Sequence, residues 1–340
     1  MISTGTPLLW SLFAAFVVIA LLLDFFAMNR QGAHKVSLKE AGIWSLVWVA
    51  TSFVFVGFLW WWLGGMSDDP AARALANDKS FEFITGYLIE KALAVDNIFV
   101  FLMIFTFFAV PPEFQKRVLM LGILGALVLR AILILIGAWL IAQFHWILYV
   151  FGAFLIFTGA KMWFAADAEP DLENNKAINW LRRKMNISPN YDGERFFTRI
   201  DGKKVATPML LVIILIGIID VVFAVDSIPA IFAITTDPFI VLTSNVFAIL
   251  GLRAMYFLLA GLQDRFHLLP YGLALVLVLI GTKMLLIDIY HIPVQWSLLG
   301  TALILGATMI LSLKIPPKAG AHTGAGAYPF GAKSDKGDSH

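Results

Sequence analysis

Residues 208–234 read PMLLVIILIGIIDVVFAVDSIPAIFAI. The stretch is 27 residues long and its only charges are Asp220 and Asp226. About 20 apolar residues suffice to cross a bilayer as a helix, so this segment reads as a membrane span. Each acid at mid-membrane costs about 2.5–3.5 kcal/mol on insertion scales. Two of them, six positions apart in one span, demand a use.

The same pattern occurs earlier in the chain. Ala94-Val95-Asp96-Asn97-Ile98 matches Ala224-Val225-Asp226-Ser227-Ile228, and Glu90 precedes the first run as Asp220 precedes the second. Downstream, Leu129-Arg130-Ala131 matches Leu252-Arg253-Ala254, and Gly159-Ala160-Lys161-Met162 matches Gly281-Thr282-Lys283-Met284. Arg130 and Lys161 stand 31 residues apart, Arg253 and Lys283 stand 30 apart. Four features in one order argue for duplication rather than chance.

Composition agrees with a membrane solvent. Hydrophobic residues make up 60% of the 340 and charged residues 14%, with mean hydropathy +0.83. Soluble domains average roughly 45–50% apolar and about 25% charged; the surplus must face lipid. That excludes a cytosolic enzyme, a disordered chain and a secreted disulfide scaffold. The absence of Cys excludes thiolate metal sites and Cys nucleophiles. A formal charge of +2 gives no bulk electrostatic case for nucleic acid.

The fold expected is all-α: a polytopic membrane protein of nine transmembrane helices with an inverted 3+3 repeat. The spans are Leu8–Met28, Ala41–Leu63, Phe81–Ala109, Val118–Ala142, Trp146–Ala166, Pro208–Ile234, Phe239–Leu262, Leu268–Ile289 and Val294–Lys314. Residues 1–80 hold two helices and an outer loop, 81–166 the first repeat, and 167–207 a cytoplasmic loop. Residues 208–290 form the second repeat, 291–314 the ninth helix, and 315–340 a disordered tail. Each repeat has three spans, so the second lies upside down relative to the first, as in many secondary transporters. Within the loop, Ala177–Met185 reads as an amphipathic helix and Arg195–Ala206 as a hairpin turning at Asp201-Gly202.

Basic residues set the orientation. With the N-terminus outside, the cytoplasmic segments collect eighteen of the 25 Lys and Arg, and the outer ones only Arg73 and Lys79. Trp60, Trp61 and Trp62 close the second span as an interfacial belt.

The spans bury five acids, Asp24, Glu90, Asp96, Asp220 and Asp226, and five bases, Lys91, Arg130, Lys161, Arg253 and Lys283. Equal numbers fit internal pairing. Lys161 can snorkel to the inner surface, and Asp24 stands outside the repeat. Glu90 and Asp96 lie about 9 Å apart along an ideal helix and about 120° apart around it. Pro229 favours a break near Asp226 that would free carbonyls as ligands. Glu90, Asp96, Asp220 and Asp226 with Asn97, Ser227 and Asn245 make a candidate hard-oxygen site for Mg²⁺, Ca²⁺ or Mn²⁺. Crowded carboxylates share protons, so a dication expels them, which makes protons a candidate counter-ion. Asp24, Lys91, Arg130, Asn245, Arg253 and Lys283 are the supporting charges and gates; for Arg130 and Arg253 the first role is locking the bundle by pairing, the alternative occupying the site when metal leaves. Met162 and Met284 read as core, and His145, His267 and His291 as interface residues.

These residues resemble the TerC family, and within it the Alx-like branch. The runs that carry the resemblance are Glu90–Ile98, Ala206–Pro208, Asp220–Ile231 and Ser244–Arg253. The resemblance implies a bacterial inner-membrane protein of nine spans linked to manganese efflux, with a historical tie to tellurite resistance. It places the family's acidic motif on Glu90, Asp96, Asp220 and Asp226, and it alone prefers Mn²⁺ to Ca²⁺. The leading expectation is therefore a Mn²⁺ exporter with no resident cofactor. The alternatives are a Ca²⁺ transporter and a non-transporting membrane partner that anchors a metal, tellurite or alkaline and redox stress complex through Asp167–Thr207. Catalysis is not expected: an intramembrane aspartyl protease would need a Gly-x-Gly-Asp context, which is absent.

The orientation has a direct check. A fluorescent protein that matures in the cytoplasm, fused after His340, should fluoresce, and alkaline phosphatase fused there should stay inactive. The reverse pattern overturns the assignment.

Overall fold

The computed structural model describes residues 3–31, 38–144, 146–165, 187–188, 190–200, 202–260, 268–290 and 292–315, without the side chains at 24–31, 96, 99, 165 and 226. The expected helix at Ala177–Met185, the tail from 316 onward, and His145, His267 and His291 lie outside the described residues.

Prolines mark where helices begin. Helix α1 spans Pro7–Gln31 and α2 Leu38–Trp62. Helix α3, Pro70–Phe107, starts on a Pro at its first turn, and the Asp69 side chain accepts from the Ala71 N–H. Helices α4 (Pro112–Gln143) and α6 (Pro208–Phe232) also open on a proline, without a side-chain cap, and α5 (Ile147–Ala165) lies between them. Then come α7 (Pro238–Leu250), α8 (Leu252–Ala260), α9 (Leu269–Leu285) and α10 (Val294–Lys314). A proline at the first helical position loses no internal hydrogen bond, because that N–H has no partner anyway.

Among the described residues, α2, α4, α5, α6 and α10 are long and apolar enough to cross a membrane, which makes five, or six if α7 and α8 count as one bent span. Shorter apolar stretches occupy Pro7–Leu23 and Leu269–Leu285. Helix α3 is the longest at 38 residues, but Glu82, Glu90, Lys91 and Asp96 interrupt its apolar run. The architecture is all-α and polytopic, with large apolar side chains such as Leu46, Val54, Ile132, Phe157 and Leu303 turned outward to lipid.

Pro229 does not break its helix. Helix α6 runs through it to Phe232. The proline sits in the last turn, where it deprives only the Val225 carbonyl of its usual donor. The break lies instead at Gly251, where α7 and α8 meet at 43°. A Cβ at Gly251 would stand 2.7 Å from Lys91 Nζ and 3.1 Å from Trp48 Cβ, so a side chain there would displace the lysine tip and press on the tryptophan.

Two packing zones position the site. Phe16 stacks on Phe247 at 5.0 Å, and Phe55 and Phe83 lie 4.6 and 5.9 Å from the same ring. Those rings bind α1, α2 and α3 to α7. On the other side, α5 and α9 touch backbone to backbone. A Cβ on Gly281 would meet the Gly152 carbonyl at 2.7 Å, and one on Gly159 would meet the Ala274 carbonyl at 2.7 Å. Numbers rise along α5 as they fall along α9, so the two run antiparallel. Small residues allow such approach in lipid, where dispersion rather than water expulsion holds helices together.

The Asp167–Thr207 loop ends as expected in a hairpin. Strand β1, Phe197–Ile200, pairs antiparallel with β2, Lys203–Ala206, through a turn in which Gly202 takes φ +76. The Thr207 hydroxyl donates to the Arg195 carbonyl at 2.6 Å, which fastens the hairpin to the start of α6.

Gly281→Ala should cost about 1–3 kcal/mol through overpacking, read as a lower Tm in detergent. Gly306→Ala, where nothing lies within 4 Å of the new Cβ, should cost nothing measurable. Equal effects would refute the close approach of α5 and α9.

Candidate functional site

The centre of the bundle holds a cluster of charged and polar side chains. Glu90 on α3, Arg130 on α4, Asp220 and Ser227 on α6 and Asn245 on α7 are 0%, 3%, 3%, 2% and 0% exposed, so solvent does not reach them. Arg130 grips Asp220 with two bonds, Nη2 to Oδ1 at 3.1 Å and Nε to Oδ2 at 3.4 Å. Its Nη1 forms an ion pair with Glu90 Oε1. The same nitrogen donates to Ser227 Oγ at 3.4 Å and to Asn245 Oδ1 at 3.5 Å. Asn245 Nδ2 in turn donates to Glu90 Oε2 at 3.1 Å.

The electrostatics explain the arrangement. A carboxylate removed from water and left unpaired costs several kcal/mol. The planar guanidinium has five donors in a rigid fork, so one arginine can serve two carboxylates at once. One cation between two anions leaves a single negative charge in excess. The polar atoms of Ser227 and Asn245 fill the remaining hydrogen-bonding directions. Arg130 thus joins Glu90 on α3 to Asp220 and Ser227 on α6 and Asn245 on α7.

Next to it, Lys91 turns the other way. Its Nζ donates to the Ala248 carbonyl at 3.0 Å and lies 5.8 Å from the centroid of the Tyr87 ring. Ala248 belongs to the last turn of α7, whose carbonyls lose their helical partners at the Gly251 break. A cation there also meets the negative end of the α7 dipole. Glu90 to Asn245 and Lys91 to Ala248 are thus adjacent tethers from α3 to α7.

The other expected site residues stand as follows. Asn97 is buried on α3. Asp96 and Asp226 sit on α3 and α6, but their side chains, like that of Asp24, lie outside the described residues. Arg253 is half-buried on α8, within electrostatic reach of Lys116. Lys283, at the end of α9, has Glu82 within electrostatic reach. Among the described residues no three His, Asp or Glu converge as a metal-holding set; the described cluster is an ion-paired one.

Two features escaped the sequence. Asp237, buried at the start of α7, accepts from the Phe239 N–H at 3.0 Å, the Thr4 N–H at 2.9 Å, the Thr4 hydroxyl at 2.6 Å and the Ser3 hydroxyl at 3.2 Å. It fastens residues 3–4 to the head of α7. The Asp237-Pro238 pair signals a helix start, but nothing local names the distant donors. At the opposite end, Tyr191 donates to the Phe108 carbonyl at 2.8 Å and Arg117 pairs with Glu194. Burial pushes the Tyr191 phenol up, which keeps it a donor.

Lys91→Met should leave the Ala248 carbonyl unmet and lower stability by about 1–3 kcal/mol, seen as a depressed Tm in detergent. Lys314→Met, at the exposed end of α10, is the control. An unchanged Tm for both would refute the tether.

Comparison with known sequences gives one consistent answer. The family profile described as "Integral membrane protein TerC family" matches residues 75–318. The "Putative membrane-bound redox modulator Alx" of Escherichia coli (strain K12) is 55% identical over 296 residues, covering 87% of this chain and 91% of its own. The protein of the same name from Salmonella typhi is 53% identical over 310 residues, 91% of this chain and 95% of its own. An "Uncharacterized membrane protein" of Myxococcus xanthus is 48% identical over 311 residues, 92% of this chain and 93% of its own. No solved structure matches.

Proposed function

This chain belongs to the TerC family of integral membrane proteins, and we propose that it is a secondary transporter that exports Mn²⁺ across the bacterial inner membrane, with protons as the counter-ion. The observation that carries this reading is the cluster of Glu90, Arg130, Asp220, Ser227 and Asn245, sealed in the bundle and drawn from both copies of one motif. A membrane protein retains buried ionised groups at high cost. A lock alone would be met more cheaply by apolar packing.

The arrangement in this reading is nine spans, N-terminus outside, with residues 81–166 and 208–290 as inverted halves. The α5–α9 contact supports the inversion. By the Gly159 to Gly281 match, Gly152 corresponds to Ala274. The Gly152–Gly281 contact therefore maps onto the Ala274–Gly159 contact when the halves are exchanged. A two-fold axis in the membrane plane produces that relation. The break at Gly251 supplies the interrupted helix that transporters use beside their sites.

Hard oxygens suit Mn²⁺ and Ca²⁺ alike. Manganese is preferred here on the family resemblance, and the metal is cargo rather than a resident cofactor. The name of the Alx relatives speaks of redox modulation. With no Cys in this chain, thiol exchange is not its chemistry, and metal movement is a simpler route to a redox effect. Catalysis has no place in the reading.

Uptake of Mn²⁺ by inverted membrane vesicles tests it, with Ca²⁺, Mg²⁺ and Zn²⁺ compared and a pH gradient imposed or collapsed. Asp96→Asn and Asp226→Asn should each abolish uptake while the protein still reaches the membrane. Uptake that survives both, or depends only on the Asp167–Thr207 loop, removes the transporter reading in favour of a membrane partner.

A further inference from the structure

Resting on that transport reading, we infer that Arg130 is a tethered substitute for the cargo: its guanidinium occupies the cation seat of the empty carrier, leaves when a dication arrives, and returns to let the empty protein reverse direction. Four residues marked from the sequence as ligands or their neighbours have described side chains in the cluster, namely Glu90, Asp220, Ser227 and Asn245. Each of the four contacts Arg130. A side chain that merely pinned α4 to α6 would need the fork on Asp220 and nothing more. This one also spreads Nη1 over Glu90 of the first copy and over Ser227 and Asn245 of the second. Its contacts reach both halves rather than one wall of the cluster.

Charge is the main hold on the guanidinium, through its ion pairs to Glu90 and Asp220, and a dication brings more charge to the same oxygens. An arginine cannot clear the seat by losing a proton; it has to move, and its long unbranched stem allows that. A dication and a guanidinium repel each other on the same oxygens, so each excludes the other. If both left, Glu90 and Asp220 would together present two uncompensated buried charges; with Arg130 in place one remains, which a single counter-ion proton neutralises. The empty protein therefore needs Arg130 in place to pass through an occluded state, whereas the loaded protein does not.

Consequently net export, which requires the empty return, depends on Arg130. Exchange of metal for metal, which never empties the carrier, does not. The experiment uses the full chain in proteoliposomes with radioactive Mn²⁺. Arg130→Gln should reduce net flux about tenfold or more while exchange against unlabelled Mn²⁺ stays within about threefold of wild type. Arg130→Lys, which keeps the charge, should recover net flux relative to Arg130→Gln. Loss of both modes in a variant that keeps the wild-type Tm, or loss of neither, overturns the inference. If Arg130→Gln does not fold, the wild-type protein decides. Saturating Mn²⁺ should raise modification of Arg130 by phenylglyoxal, mapped by mass spectrometry, about threefold or more. Unchanged or reduced modification overturns the inference. Wild-type vesicles that carry out neither net flux nor exchange would instead sink the transport reading itself.

Discussion

A guanidinium buried between two carboxylates fixes what the rest of this bundle has to do. Arg130 comes from α4, Glu90 from α3 and Asp220 from α6, and all three are sealed from solvent. Their mutual attraction is strong because no water screens it, and so is the penalty if any one of them shifts. The helices around them must therefore hold backbone positions closely, without the hydrophobic effect that orders a soluble core. The chain achieves this by two routes. One is aromatic packing, with Phe16, Phe55 and Phe83 gathered on Phe247 of α7. The other is backbone contact, with Gly152, Gly159 and Gly281 removing side chains between α5 and α9. The ring cluster steadies the helix that carries Asn245, and the glycine contacts steady the opposite flank of the bundle.

Helix α7 shows how local chemistry and the cluster depend on each other. Its start is held by Asp237 and its end by Lys91, a buried acid at the positive end and a buried base at the negative end. Both agree with the helix dipole. Between them the helix presents Asn245 to Glu90 and Arg130. Remove the Gly251 break, and the Ala248 carbonyl would be consumed within a continuous helix. Lys91 would then be left beside Glu90 with no carbonyl to meet. The interruption is thus part of how the chain accommodates adjacent opposite charges, Glu90 and Lys91, inside one span.

Much of this was legible in advance because the signals were local or duplicated. The start of α6 at Pro208 is legible directly and that of α7 within one residue, and the hairpin follows from its turn signal. Helices α3 and α4 begin at Pro70 and Pro112, ahead of the expected Phe81 and Val118, because hydropathy marks the apolar stretch and not the polar turns before it. The motif repeat pointed to Glu90, Asp220, Ser227 and Arg130 together, since charges in a membrane need partners and few were on offer. Asn245 came from the same search for hard oxygen. Less legible was anything set by distant contact. Pro229 looked like the break because proline carries its penalty in its own ring. Gly251 looked ordinary, because the neighbours that crowd it, Lys91 and Trp48, come from other helices. Asp237 likewise looks like a plain helix cap until Ser3 and Thr4 fold onto it.

The two ends of the bundle are tied differently, and that difference bears on movement. At one end Asp237 takes hydrogen bonds from Ser3 and Thr4, so the start of the chain is fastened to the second acidic half. At the other, Tyr191 and Glu194 reach the α3–α4 turn, where Ala109 adopts φ +47. That turn belongs to the first half, while the hairpin continues through Thr207 into α6 of the second. Each half is therefore linked to the other through segments outside the repeated helices, one at each end. Both ties consist of hydrogen bonds and ion pairs rather than apolar packing, and polar links of this kind break and re-form singly. Under the transport reading proposed above, rocking one half against the other would load one tie as it relaxed the other, while the apolar contacts between helices persist.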